Sequence, residues 1–404
     1  MNCGPKIPVL EEKPVVQESA YGLLNLETLA ANRAGVLAGK APFMTAMELL
    51  LQEAEKAMTL NPPSVMDKQA IPPSGNKHDY MSLSPYWWPN PDTPDNLPYI
   101  RKDGQVNPER NAYDKVPGAL MSEAVSTLSL AYYFTGGEPY AEKAARLLRT
   151  WFLDADTYMA PHLEYGQFVP GRSSGRSVGI IETRNFVYLI DYEKLLQSSE
   201  AWSDEDHRGF KQWMDNYLSW LLTSDLGREE INRANNHGSW CEFQVMALSQ
   251  FTGNTKTTIP LIENFGERRV FKQIMPDGTQ PEELERTKSF NYSVFNLDAL
   301  VKILMLTDHQ PEFQPGLAEE ISRISQAIEF LIPYVNGDEI WPHEQITGIE
   351  HAVENLIPML VYMIRAEEKS AFIVQLDSLL KKYPGSRYIL ITDAISVGSQ
   401  SAPL

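Results

Sequence analysis

Four stretches of the chain gather residue types able to do chemistry. In Asn232-Arg233-Ala234-Asn235-Asn236-His237-Gly238, amides and an imidazole stand where a loop runs into a helix. Unpaired amide protons and the helix dipole favour negative charge at such a point, so Asn236 and His237 could receive a carboxylate. Equally, Asn235 and Asn236 could cap the helix with their side-chain oxygens. In the run from Met275 to Ser293, Arg286 and Tyr292 are six positions apart. On one continuous helix they would point about 120° from each other, so they meet only if the backbone between them is irregular. Otherwise Arg286 pairs with Glu282 or Glu283, and Tyr292 is half-buried core.

The third stretch, 161–184, sets Gln167, Arg172 and Arg176 among glycines. It lacks a Gly-Lys-Ser/Thr ending and a preceding strand, which excludes a nucleotide cradle and leaves the arginines as anion contacts. The fourth is Lys77-His78-Asp79-Tyr80-Met81-Ser82-Leu83-Ser84-Pro85-Tyr86-Trp87-Trp88-Pro89. Tyr80, Trp87 and Trp88 offer ring faces for stacking on sugars, or for packing their own loop. Neither His343-Glu344 nor His351 forms a metal motif, so no metal and no cofactor is expected. A glycosidase would need two facing carboxylates, and nothing singles out a pair among Asp154, Asp156, Asp277 and Glu282.

These residues need a scaffold, and its pattern is helical. Apolar residues recur at three- and four-residue spacing over 23–30 and 47–57, which predicts two antiparallel helices. Further helices are expected over 119–134, 140–152, 180–196, 204–222, 237–251, 259–273, 294–306 and 318–334, with two more within 352–383. Strand alternation is hard to find. Two excursions, 62–117 and 161–179, break the pattern. The first is too rich in proline for a long helix and too aromatic for disorder, so it reads as an ordered wall or lid. Residues 1–20, rich in Pro, Val and Glu, are expected to form an extended arm, with 21–404 a single domain.

The 404 residues carry 35 Lys and Arg against 53 Asp and Glu, a formal charge of -18, which argues against a nucleic-acid partner. No apolar run approaches a membrane span. Cys3 and Cys241 exclude a disulfide framework. Met1-Asn2-Cys3-Gly4 fits the remnant of a lipidated cysteine as well as an ordinary start.

Taken together, Lys77 to Pro91, the run from Pro170 to Glu182, the Asn236-His237-Gly238 turn and the segment from Asp277 to Tyr292 resemble the alginate lyase superfamily of polysaccharide lyases. The resemblance implies an all-α fold, an α/α toroid that is an incomplete barrel of helical hairpins, with the long Pro- and aromatic-rich loops over a cleft. It implies cleavage of a β-1,4-linked polyuronate by β-elimination, leaving 4,5-unsaturated oligosaccharides. The substrate would be alginate, of mannuronate and also guluronate type.

By resemblance, Asn236, His237 and Arg286 neutralise the uronate carboxylate, and Tyr292 serves as base and acid, with its pKa lowered by Arg286 and His237. Lys77, Tyr80, Trp87, Trp88, Gln167, Arg172, Arg176, Asn235 and Lys288 would line the substrate path. An anionic polysaccharide is thus the expected partner, met in the periplasm, outside the cell or at its surface. The six-residue spacing is similar to the alginate and glucuronan branch. A glucuronan lyase is the alternative, followed by an α/α-barrel glycoside hydrolase or a non-catalytic polyuronate binder.

Overall fold

The computed structural model describes residues 21–310, 314–367 and 370–398, so the expected arm over 1–20 lies outside the described residues. Among the described residues eighteen α-helical segments follow one another. They are α1 (Leu26–Leu37), α2 (Ala41–Met58), α3 (Lys115–Thr135), α4 (Glu138–Leu148), α5 (Arg184–Leu196), α6 (Asp204–Thr223), α7 (Asp225–Ile231), α8 (Asn236–Thr252) and α9 (Thr255–Glu263). Then come α10 (Phe271–Gln273), α11 (Pro281–Leu284), α12 (Ser289–Thr307), α13 (Ala318–Asn336), α14 (Glu350–Glu354), α15 (Leu356–Glu367), α16 (Ser370–Lys382), α17 (Tyr388–Ile391) and α18 (Ala394–Gly398). Packing runs from α2 to α3, α3 to α5, α5 to α8, α8 to α12 and α12 to α15, and α17 returns to α2 and α1. Helix α18 packs on both α15 and α17, so the contacts run round in a ring, the all-α toroid that the helical pattern and the resemblance led us to expect.

Which helices lie inside follows from composition. Residues 238–251 of α8 and 124–135 of α3 are all buried; α3 is apolar, aromatic or small there, while α8 also buries Glu242, Gln244 and Gln250, each with a hydrogen-bond partner. Helix α6 buries only Phe210, Trp213, Met214, Tyr217, Leu218 and Leu221, a single stripe, and its other face is polar, as suits an outer helix. Its start is fixed by a capping box between Ser203 and Asp206.

Two expectations fail for local reasons. Helices α1 and α2 are not antiparallel, because their axes bend by 97° at the break. Gly35 lets the Phe43 ring lie where a Cβ would stand 2.5 Å away, and α1 packs across α17 instead. The segment 259–273 is not one helix. Asn264 turns its Nδ2 back onto the Pro260 carbonyl at 2.8 Å, ending α9, and a wide turn at Gly266–Val270 follows. A Cβ on Gly266 would meet Glu320 Oε1 at 2.2 Å, so the turn seats this backbone against α13.

The two excursions hold four short strands. Strand β1 (Met81–Leu83) pairs in parallel with β4 (Tyr165–Phe168), and β2 (Trp87–Trp88) pairs antiparallel with β3 (Ile100–Arg101). The first excursion is anchored by Lys68 and Asp114, 3.0 Å apart with both side chains 1 % exposed. Lys68 also donates to the carbonyls of Val65 and Lys77, and Asp114 accepts the Met81 N–H. Among the described residues no single helix is long and apolar enough to cross a membrane.

Candidate active site

The α7–α8 junction presents the imidazole. Asn235 caps α8, its side chain accepting from the His237 N–H at 3.2 Å. His237 Nδ1 lies 2.6 Å from Glu230 Oε1, and Glu230 is fully buried at the end of α7. A carboxylate there accepts a hydrogen bond from Nδ1–H of the neutral ring, which leaves Nε2 as the lone-pair nitrogen. Arg233 braces Glu230 at 2.9 Å and Ser177 at 2.9 Å, while Arg269 donates to the Ile231 and Arg233 carbonyls. Gly238 is required here, since a Cβ would sit 2.0 Å from the Arg233 carbonyl oxygen.

Arg286 falls in the gap between α11 and α12, so the irregular backbone that the six-residue spacing demands is present. Its Nη2 donates to the Tyr292 hydroxyl at 2.8 Å, and its guanidinium lies 3.8 Å over the Tyr292 ring. Nε and Nη2 also bind Asp103, at 3.2 and 2.9 Å. Among the described residues no acceptor reaches Nη1, which is left to take a substrate oxygen.

The Tyr86 hydroxyl, from the aromatic loop, is 2.9 Å from that of Tyr292. Burial pushes the Tyr292 phenol well above its ordinary value; Tyr86 adds to the rise, and the Arg286 charge opposes it without prevailing. The expected lowering is therefore reversed, because the cation arrives with a desolvated site and a neighbouring phenol. Burial would raise Asp103, but the hydrogen bonds and charges of Arg286 and Arg101 hold it far below the usual carboxylate range.

Glu283 joins the two groups. It is 1 % exposed, accepts from the backbone N–H and Nδ2 of Asn236 at 2.7 Å each, and lies within electrostatic reach of Arg286. Asn236 itself is 0 % exposed, while the His237 side chain is 18 % exposed.

The remaining expected residues divide. Trp87 lies between Arg172 and Arg176, whose guanidinium carbons are 5.1 and 5.7 Å from its ring. Arg176 donates to the Gln167 carbonyl and to Ser84 Oγ, and burial together with Arg233 and Arg101 pulls it down to about 10. Gln167 takes a positive φ of 48° and is 8 % exposed, so it serves mainly to hold Arg176. Trp88 is half-buried and donates Nε1 to the Gln105 carbonyl. Lys288 lines a pocket of about 300 Å3 with Tyr86, Asn291, Tyr292, His351 and Asn355.

Two expected residues do not face this region. Tyr80 is 2 % exposed in the core and donates its hydroxyl to Glu182 at 2.8 Å, so its ring offers no sugar platform. Lys77 spends its ammonium on the Met66 carbonyl at 2.8 Å, bracing the loop. The sequence reading passed over Asp103, Glu230 and Tyr86 as site residues. Only Tyr86 carried a signal, as a member of the aromatic run. Asp154, Asp156, Asp277 and Glu282 are all exposed. Among the described residues no group of three or more His, Cys, Asp or Glu is gathered for a metal ion.

The alginate lyase family profile matches residues 64–341, which contain every residue of this cluster. The chain belongs to the alginate lyase family. It is 37 % identical to an alginate lyase from Bacteroides ovatus of known crystal structure, with a TM-score of 0.83 over 93 % of this chain and 99 % of that one. Alginate lyase A1-III from Sphingomonas species A1 shares the fold, with a TM-score of 0.51 at 13 % identity over 96 % of this chain and 99 % of that one. No curated protein sequence matches the chain. Family membership makes this enzyme a polysaccharide lyase, acting on anionic uronate polymers by β-elimination.

Proposed function

We propose that the cluster cleaves alginate, with His237 and Tyr292 dividing the proton transfers. The observation that carries this reading is the meeting of Arg286 and Tyr292 across the α11–α12 break. In the elimination a base takes the proton on C5, the C5–H electrons form the C4–C5 double bond, and the C4–O4 bond breaks. O4 leaves with its electron pair and is protonated by an acid. A phenol raised by burial keeps its proton at neutral pH, which supports Tyr292 as that acid. His237, with Nδ1 turned to Glu230, keeps Nε2 for the C5 proton.

Arg286 Nη1 supports neutralisation of the carboxylate, without which the C5 proton is too weakly acidic to remove. Trp87, Arg172 and Arg176 suit the sugars further along the chain. In guluronate the C5 proton and O4 lie on opposite faces, which two separate groups can serve. In mannuronate and glucuronate, which are alike at C4 and C5, the two share a face, and Tyr292 would serve both steps there only after giving up its own proton, which burial opposes. Incubating the enzyme with polymannuronate, polyguluronate and glucuronan, and following the ultraviolet absorbance of the new double bond, tests this. Turnover of an alginate block is expected; turnover of glucuronan alone would make the protein a glucuronan lyase. A polymeric substrate also favours action outside the cytoplasm, which fractionation of producing cells would check.

A further inference from the structure

Two cavities meet beside Tyr292. The smaller, of about 300 Å3, is lined by Tyr86 and Tyr292, and Phe295, Asp298, His351 and Asn355 line both it and a larger one of about 930 Å3. On α12 the larger cavity touches Phe295, Asp298, Lys302 and Met305 and, just past the helix, Asp308. It therefore runs the length of an inner helix and is the bore of the toroid.

At the mouth of the bore stands a cation that the protein leaves without a counter-ion. Arg184, the first residue of α5, is half-buried and lines the cavity, with its guanidinium carbon 5.8 Å from the Trp240 ring and 5.2 Å from the Phe295 ring. Trp240 follows His237 by three positions on α8, and Phe295 follows Tyr292 by three on α12. Both rings lie about 4.5 Å further along their helices than the two proton-transfer residues, within reach of a neighbouring sugar.

Nη1 of Arg184 donates to the Ile181 carbonyl at 3.0 Å, and among the described residues no carboxylate pairs with the guanidinium. The acids within its electrostatic reach are already engaged, Glu182 by the Tyr80 hydroxyl and Asp298 by Lys302. Burial accordingly pulls Arg184 down from its ordinary value. Beside it Asn185 also lines the cavity, and its carboxamide has no protein partner among the described residues. An enclosed guanidinium without a counter-ion is costly unless a ligand supplies one.

We propose that Arg184 is a specificity-determining residue, which with Asn185 receives the carboxylate of the uronate next to the one being cleaved. The proposal deepens the lyase reading given above and rests on it. Deeper in, the wall turns acidic. Asp191, two turns along α5, accepts the Leu23 and Leu24 N–H groups, Asp308 stands at the far end of α12, and Glu354 on α14 adds to the negative charge. A polyanion is attracted at Arg184 and repelled beyond it, so a carboxylate enters the mouth of the bore and the polymer stays in the cleft.

Arg184→Met, which keeps the length of the side chain without its charge, tests this with alginate oligomers of increasing length from the block that the enzyme turns over. Wild-type kcat/KM should step up when the oligomer gains the sugar that reaches Arg184. The variant is expected to lose that step, about 10- to 100-fold, with KM carrying most of the change. A variant with the wild-type length profile would overturn the proposal.

Stability separates binding from bracing. Removing a guanidinium that has no counter-ion should leave the melting temperature at or above that of the wild type. A lower one, with rates reduced alike at every oligomer length, would make Arg184 a structural residue and overturn the proposal. Calorimetry reads the contact directly: Tyr292→Phe/Arg184→Met should bind the longer oligomers about 10- to 100-fold more weakly than Tyr292→Phe, and equal affinity would contradict the assignment. Failure of the lyase reading is distinguishable, because wild type would then form no unsaturated product from any polyuronate.

Discussion

Arg286 shows how one side chain is divided among tasks. Two of its nitrogens are occupied by Asp103 and Tyr292, so what it offers a substrate is Nη1 alone, and its larger role is to fix the phenol. A lysine keeps the charge but cannot hold Asp103 side-on while reaching the phenol and covering its ring. Arg286→Lys is expected to lower kcat about 10- to 100-fold, or ~1.4–2.7 kcal/mol of barrier, with a smaller change in KM. A purely electrostatic Arg286 would instead tolerate lysine in both constants. The sequence set the condition for the Arg286–Tyr292 meeting, an irregular backbone between them, and the resemblance supplied the expectation that they meet. Asp103 was not legible, since nothing local says that a loop 183 positions away will supply the partner. Tyr80 and Lys77 misled for a related reason, because an irregular loop has no periodicity to tell its inner face from its outer one.

At the scale of elements, the aromatic excursion acts as one piece because its two ends are tied. Lys68 and Asp114 meet in the interior, and their remaining bonds reach the carbonyls of Val65 and Lys77 and the amide of Met81. Removing one partner strands the other without solvent. Lys68→Ala should therefore cost about 3–5 kcal/mol in denaturant unfolding and loosen the loop that carries Tyr86. A loss below about 1 kcal/mol would mean that the pair is not the anchor. Helices α3 and α8 could be read from their helical pattern over 119–134 and 237–251. The α9 break could not, because it depends on Asn264 returning to the Pro260 carbonyl and on the close approach of Gly266 to Glu320.

For the whole molecule, closure of the ring by α17 against α2 brings chain ends together that the helical pattern alone could order but not join. The formal charge of -18 sets a second global property. A polyuronate is repelled at long range, so binding rests on cations within about one Debye length, about 8 Å, of the chain. Arg172, Arg176, Lys288 and Arg286 are the groups so placed. Stability carries its own pH signature. Burial raises Glu283 from 4.5 and Asp114 from 3.8 to about 7, the latter against its pairing with Lys68. The folded chain therefore holds protons that the unfolded chain has released, and stability falls as pH rises through that window. The melting temperature should be lower just above pH 7 than midway between 4.5 and 7. A rise over the same interval would show that these acids are ionised in the folded state.

The account turns on the phenol of Tyr292, and Tyr292→Phe addresses it with a single atom removed. With polyuronate in excess, the variant is expected to produce no rise in ultraviolet absorbance while still binding the polymer by calorimetry. Wild-type rates of double-bond formation in that variant would contradict the account.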